Sequence, residues 1–203
     1  MGTLLRPEDQ FRKLGSIGKE IFGTDRIKLL DEYRNEAPDG EVGELFTRAP
    51  CMFKEYFKDP EKTKEVFEGE WFSAGDMARR DEEGYYTLVD RKANMIITGG
   101  ENVYPSEVES VLRLHEAVKD VAVIGVPDAK WGEAIKAVVV LNEAHEAGEP
   151  LAESIMDFAR GKIAGYKRPK SVDFITDEKM PRTATGKILH RLLRNRYGDD
   201  STT

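Results

Sequence analysis

Over roughly the first ninety positions, apolar residues alternate or cluster in short runs. That is the spacing of strands, and only later does the three-to-four spacing of helices appear. Residues 25–31 and 41–48 read as strands. Between them, Asn35-Glu36-Ala37-Pro38-Asp39-Gly40 reads as a turn, because Pro38 presets its backbone and Gly40 permits a positive φ. Asp59-Pro60 opens a short helix over 61–67, with proline at an early helical position. A hairpin follows, in which 77–80 and 85–89 are strand-like and Asp81-Glu82-Glu83-Gly84 joins them.

From Asp90 onward helix and strand patterns alternate. Residues 105–112 predict a helix with Val108, Val111 and Leu112 on one face. Residues 118–126 and 134–141 are β-rich runs, and 170–176 is a short strand. A longer helix over 151–164 has the apolar face Leu151, Ile155, Phe158, Ala159 and Ile163. The last helix, 187–197, buries Ile188, Leu189, Leu192 and Leu193, with Gly198 as its C-terminal cap. The predicted fold class is α+β. A boundary near 90–94 separates a β-rich N-terminal subdomain, residues 1–90, from a small α+β domain, residues 91–198.

Composition narrows the class. The chain has 203 residues, 39% hydrophobic and 34% charged, which is the profile of a folded soluble protein rather than a disordered tail. No apolar run approaches the roughly eighteen residues a membrane-spanning helix needs, and the N-terminus has no secretory pattern. A single cysteine, Cys51, excludes an internal disulfide framework and a cysteine-based zinc cluster, and a cytoplasmic setting is expected.

The net charge of −7 argues against a nucleic-acid binder. Charge is uneven, however. Residues 160–196 hold eleven Lys or Arg and three acids. Such a stretch suits a small polyanion, or is simply a solvated basic helix.

Known phosphate and metal motifs are missing. Thr183-Ala184-Thr185-Gly186-Lys187 looks like half of a phosphate-binding loop, but Pro181 stands where the first glycine belongs and Ile188 where a Ser or Thr would hold Mg²⁺. There is no G-x-G-x-x-G, and His115, His145 and His190 are too scattered for a metal triad. A proline-led loop rich in Thr and Gly instead places Lys187 at a helix start, where its ammonium could meet phosphate oxygens.

Three segments in order carry a stronger signal: Trp71-Phe72-Ser73-Ala74-Gly75-Asp76, then Asp90-Arg91-Lys92 running into Met95-Ile96-Ile97-Thr98-Gly99-Gly100-Glu101-Asn102-Val103-Tyr104-Pro105, then Pro181-Arg182-Thr183-Ala184-Thr185-Gly186-Lys187. In this spacing they resemble the adenylate-forming (AMP-binding) superfamily of acyl- and aryl-CoA ligases, peptide-synthetase adenylation domains and firefly-type luciferases. The resemblance runs from about Leu14 to Arg196.

It implies a two-step reaction. A carboxylate attacks the α-phosphate of ATP to give acyl-adenylate and pyrophosphate, and a thiol then displaces AMP. It further implies that residues 1–90 belong to a distorted-barrel-like end of a large N-terminal domain, and 91–198 to a mobile C-terminal lid. Asp76 would accept hydrogen bonds from both ribose hydroxyls, and Arg91 would contact the ribose region. Lys187 would bridge the attacking carboxylate and the α-phosphate.

On rotation of the lid, Gly99 and Gly100 would line the tunnel for the thiol's pantetheine arm. The hinge position, commonly Asp or Lys, is Ala93 here. Trp131, Tyr166, Arg168 and Lys170 resemble positions that meet CoA.

ATP and CoA are thus expected as co-substrates, with Mg²⁺ held outside this chain. The partners expected are a large domain of the same enzyme and a small-molecule carboxylic acid, with no nucleic acid and no membrane span. A fragment or truncated product is expected, inactive alone. Two other readings stay open: an adenylation domain that loads a carrier protein, and a non-catalytic module that binds nucleotide, CoA or a partner protein.

Overall fold

The computed structural model describes residues 2–21 and 27–198. The chain divides into two compact units between Ala93 and Asn94, and each holds its own sheet.

The first unit is antiparallel throughout. Its elements are β1 (Thr3–Leu4), β2 (Ser16–Glu20), β3 (Ile27–Leu30), β4 (Val42–Thr47), α1 (Pro60–Val66), β5 (Phe67–Glu68), β6 (Trp71–Arg80) and β7 (Tyr85–Arg91). The strand order is β1-β2-β7-β6-β4-β3, with β5 against β6. Ile27, Leu29, Ala78 and Tyr86 form the core, and Ile17, Ala37 and Leu45 pack against it. Asp59 caps α1 by accepting the Lys62 N–H at 3.0 Å. Of the strand expected over 25–31, Asp25 and Arg26 lie outside the described residues.

In the second unit come β8 (Ile96–Thr98), β9 (Glu101–Val103), α2 (Pro105–Leu112), β10 (Val118–Asp128), β11 (Gly132–Leu141), α3 (Glu149–Phe158), β12 (Ser171–Phe174) and α4 (His190–Gly198). The antiparallel pair β10–β11 is its spine. Alternate residues explain the long apolar runs, because both faces of this pair are covered. Val121, Val123, Ile135, Ala137 and Val139 pack with Val108, Leu112, Ile155 and Ala159. Ala122, Ile124, Val138 and Val140 pack with Met180 and Leu193. The free edge of β11 is shared: Gly132 pairs with Thr98 of β8, and 136–139 pair in parallel with β12. A parallel neighbour requires a crossover, and α3 supplies it. The α+β expectation therefore holds.

Three expected elements shift. β6 starts at Trp71, so Asp76 sits within a strand instead of ahead of a hairpin. α3 begins at Glu149, with Pro150 in its first turn, and ends at Phe158 before Gly161, whose φ is +75°. α4 begins at His190, so Lys187 does not open a helix. Gly186 has φ +85°, and Ile188 is occupied in an antiparallel bridge with Arg182. Both are incompatible with helix at Lys187.

Candidate active site

Asp76 and Arg91 are direct cross-strand partners in the β6–β7 ladder. Arg91 Nε donates to Asp76 Oδ1 at 2.7 Å, and its Nη1 donates to the Ala74 carbonyl at 2.9 Å. The pair lies at the end of β7, two residues before the division at Ala93. Beside it, half-buried Glu44 accepts from Ser73 Oγ and Lys92 Nζ, both at 2.7 Å. Burial opposes the charge on Glu44, but these two donors outweigh it and hold the carboxyl below its ordinary value.

Lys187 sits on a tight loop of five residues. Its carbonyl accepts the Thr183 N–H at 2.8 Å, and its own N–H donates to Thr183 Oγ1 at 3.1 Å. Thr183 and Thr185 hydroxyls share a 2.9 Å hydrogen bond, and the Leu189 N–H reaches the Pro181 carbonyl at 2.9 Å. The lysine side chain is exposed.

Both ends of this loop are braced by charge. Arg182 Nη2 meets Asp120 Oδ2 at 2.6 Å and Asp177 Oδ1 at 3.2 Å. His190 Nε2 lies 2.7 Å from Glu109 Oε1, whose side chain is only 7% exposed. Arg113 joins the two braces, at 3.4 Å from Asp120 and 3.4 Å from Glu109. Burial opposes the charge on Asp120, yet Arg182 and the Val121 N–H hold its carboxyl below the ordinary value. An unbroken chain of charged side chains therefore runs from Arg182, at one root of the lysine loop, to Glu109, which His190 meets at the other. The sequence reading missed Glu109, His190 and Arg182; they lie in the motif segments quoted or beside them, but their pairing spans 62 and 81 residues.

Gly99 and Gly100 turn the β8–β9 hairpin with φ +61° and +85°. Successive positive φ values are the signature of the two-residue hairpin turn, which glycine adopts without strain. Trp131 stands over this turn. Its carbonyl accepts the Gly99 N–H at 2.8 Å, and a Cβ on residue 99 would sit 2.9 Å from its ring. The indole is 44% exposed, so it is a surface group and not part of the core.

The structure thus brings Gly99, Gly100 and Trp131 together. Lys170 joins the same edge of β11 through its backbone, donating to the Ile135 carbonyl at 2.8 Å. Tyr166, 43% exposed, and Arg168 lie on the preceding turn. The neighbouring Lys167 is committed to both oxygens of Glu107, at 2.7 and 2.8 Å. Part of the basic stretch is therefore neutralised internally.

Residues 107–187 match the family model of the AMP-binding enzyme C-terminal domain. The long-chain-fatty-acid–CoA ligase FadD13 of Mycobacterium tuberculosis is 43% identical over 197 residues, 97% of this chain and 37% of that protein. A feruloyl-CoA synthase of Amycolatopsis is 43% identical over 186 residues, 92% of this chain and 37% of its own. Among solved structures, o-succinylbenzoate CoA synthetase (MenE) of Bacillus subtilis, in complex with its acyl-adenylate OSB-AMP, superposes with a TM-score of 0.81 at 34% identity. It covers 96% of this chain and 38% of that one. ATP-bound MatB of Rhodopseudomonas palustris gives 0.81 at 35% identity, covering 92% and 36%.

Residues 107–187 thus carry an AMP-binding enzyme C-terminal domain, and over nearly its whole length the chain is similar to adenylate-forming CoA synthetases. Within that class its relatives are acid:CoA ligases, and the chain spans about a third of the length of the curated relatives it matches.

Proposed function

We propose that this chain supplies the lid, and the adjoining end of the large domain, of an ATP-dependent carboxylic acid:CoA ligase. One observation carries the reading: a single compact unit presents two exposed loops on separate supports. The Lys187 loop hangs from Asp120 and Glu109. The Gly99-Gly100 turn hangs from β11. A two-step reaction at one centre needs two such loops, each brought up in turn.

In the first step a carboxylate oxygen attacks the α-phosphorus of ATP and pyrophosphate leaves. Asp76 and Arg91 hold the ribose, and the Lys187 ammonium offsets charge building at the phosphorus. In the second, the CoA sulfur attacks the acyl carbon, the bond to AMP breaks, and the thiol proton departs. Here Gly99 and Gly100 border the passage of the pantetheine arm, with Trp131, Tyr166, Arg168 and Lys170 along the CoA. Ala93, at the division between the units, is the pivot between the two poses.

The relatives' names favour free CoA over a carrier protein as acceptor. Mg²⁺ would accompany the ATP in the whole enzyme. No helix among the described residues is long and apolar enough to cross a membrane.

The test joins this chain to the ATP- and acyl-binding domain of a relative and follows each half-reaction in single turnover. Lys187→Ala should slow adenylation by at least about 10²-fold, as expected for loss of a transition-state donor, and affect thiolation far less. Equal losses in both half-reactions would overturn the assignment.

A further inference from the structure

β8 leaves the edge of β11 abruptly. Thr98 pairs with Gly132, and the Gly99 N–H reaches the Trp131 carbonyl. That register would place Ile97 opposite Glu133 and give the Ile97 N–H a backbone acceptor. Instead the Glu133 side chain turns back, and its Oε2 accepts the Ile97 N–H at 2.8 Å. A carboxylate thus replaces the missing rung of the ladder, and a charged acceptor makes that rung stronger than an ordinary amide pair.

The opposite strand leaves room for this. Gly125 is buried in β10, and a Cβ there would lie 2.5 Å from Glu133 Oε1 and 2.8 Å from its Cδ. Its φ is not in the left-handed region, so the backbone does not require glycine. What requires it is the carboxylate lying across it. An isolated glycine inside an otherwise apolar strand run is the sequence trace of such a close approach.

We propose that Glu133, seated over Gly125, is a positioning residue for the Gly99-Gly100 turn. The Thr98–Gly132 pairing ties that turn to β11, and it is fastened on either side of Thr98 by the Trp131 carbonyl on Gly99 and the Glu133 carboxylate on Ile97. Removing the carboxylate frees the Ile97 N–H and loosens β8 on the side away from the turn, where Thr98–Gly132 is its last pairing with β11. The contact stands independently of function; its consequence rests on the lid reading, in which this turn serves thiolation and not adenylation.

Gly125→Ala tests this cleanly, because the added methyl meets only the far end of a flexible side chain and evicts the carboxylate without deleting it. In the ¹⁵N-labelled chain, Gly125→Ala and Glu133→Ala should each speed hydrogen exchange of the Ile97 amide by about tenfold or more, while Glu133→Gln, which keeps an acceptor oxygen, stays near the parent. The double variant should exchange no faster than Glu133→Ala. Unchanged exchange in both single variants would overturn the proposal.

In the chain joined to a relative's large domain, the same two single variants should slow thiolation about tenfold and leave adenylation within about twofold, with Glu133→Gln restoring the parent rate. Equal slowing of both steps would overturn the positioning role. A joined parent enzyme that makes no acyl-adenylate would instead remove the lid reading, and the exchange data would still decide the contact.

Discussion

At the scale of single residues, buried charge decides what the second unit tolerates. His115 is 9% exposed. Its Nδ1 accepts the Ala117 N–H at 3.2 Å, and its Nε2 lies 3.3 Å from Ser154 Oγ. This is the neutral tautomer with the proton on Nε2. Burial pushes the imidazole pKa below the ordinary histidine value; Glu116 opposes the shift, and His145 and Lys162 add to it.

The sign follows directly. A group whose folded pKa lies below its unfolded pKa contributes stability above the unfolded value and loses it as pH falls through the folded one. The urea midpoint of this unit, followed by Trp131 fluorescence, should therefore fall on acidification from neutral pH through and below the ordinary histidine range. His115→Leu should flatten that part of the curve. A parallel fall in both proteins would assign the effect to other groups.

Elements show which parts of the molecule the sequence could announce. Helix α2 spans 105–112, as its apolar spacing predicts, and the β10 and β11 runs are equally plain because both of their faces are buried. These signals are local. The lysine loop is not: Ile188 sits at a helix-like spacing from Leu192, yet a bridge to Arg182 claims it. Neither the Glu109–His190 contact nor the seat of Glu133 over Gly125 has any local signature of its partner, since each depends on which strands and helices become neighbours.

The α2-to-α4 brace makes its own prediction. Glu109 accepts the buried Val123 N–H at 2.9 Å as well as His190. Glu109→Ala strands both donors and should cost about 1–3 kcal/mol, the penalty for a buried unsatisfied donor, read from urea unfolding of the second unit. His190→Ala leaves the Val123 bond intact and should cost less. The reverse order would show that the helix contact, not the strand N–H, is what Glu109 secures.

For the whole molecule, two compact units, each with its own sheet and its own buried residues, imply two unfolding events. The chain has two tryptophans, Trp71 in β6 of the first unit and Trp131 beside β11 of the second. Ile155 is fully buried in the second core, and Ile155→Ala should remove about 2–5 kcal/mol there. The transition seen through Trp131 should move to lower urea, while that seen through Trp71, in a Trp131→Phe background, should stay. A single shared transition would show that the units melt as one.

The backbone passes from one sheet to the other once: β7 ends at Arg91 and β8 begins at Ile96. A genetic crossover at the codons for 92–95 would therefore exchange the second unit without splitting a strand or dividing a core. In such a gene the two sheets could vary and be selected as separate cassettes.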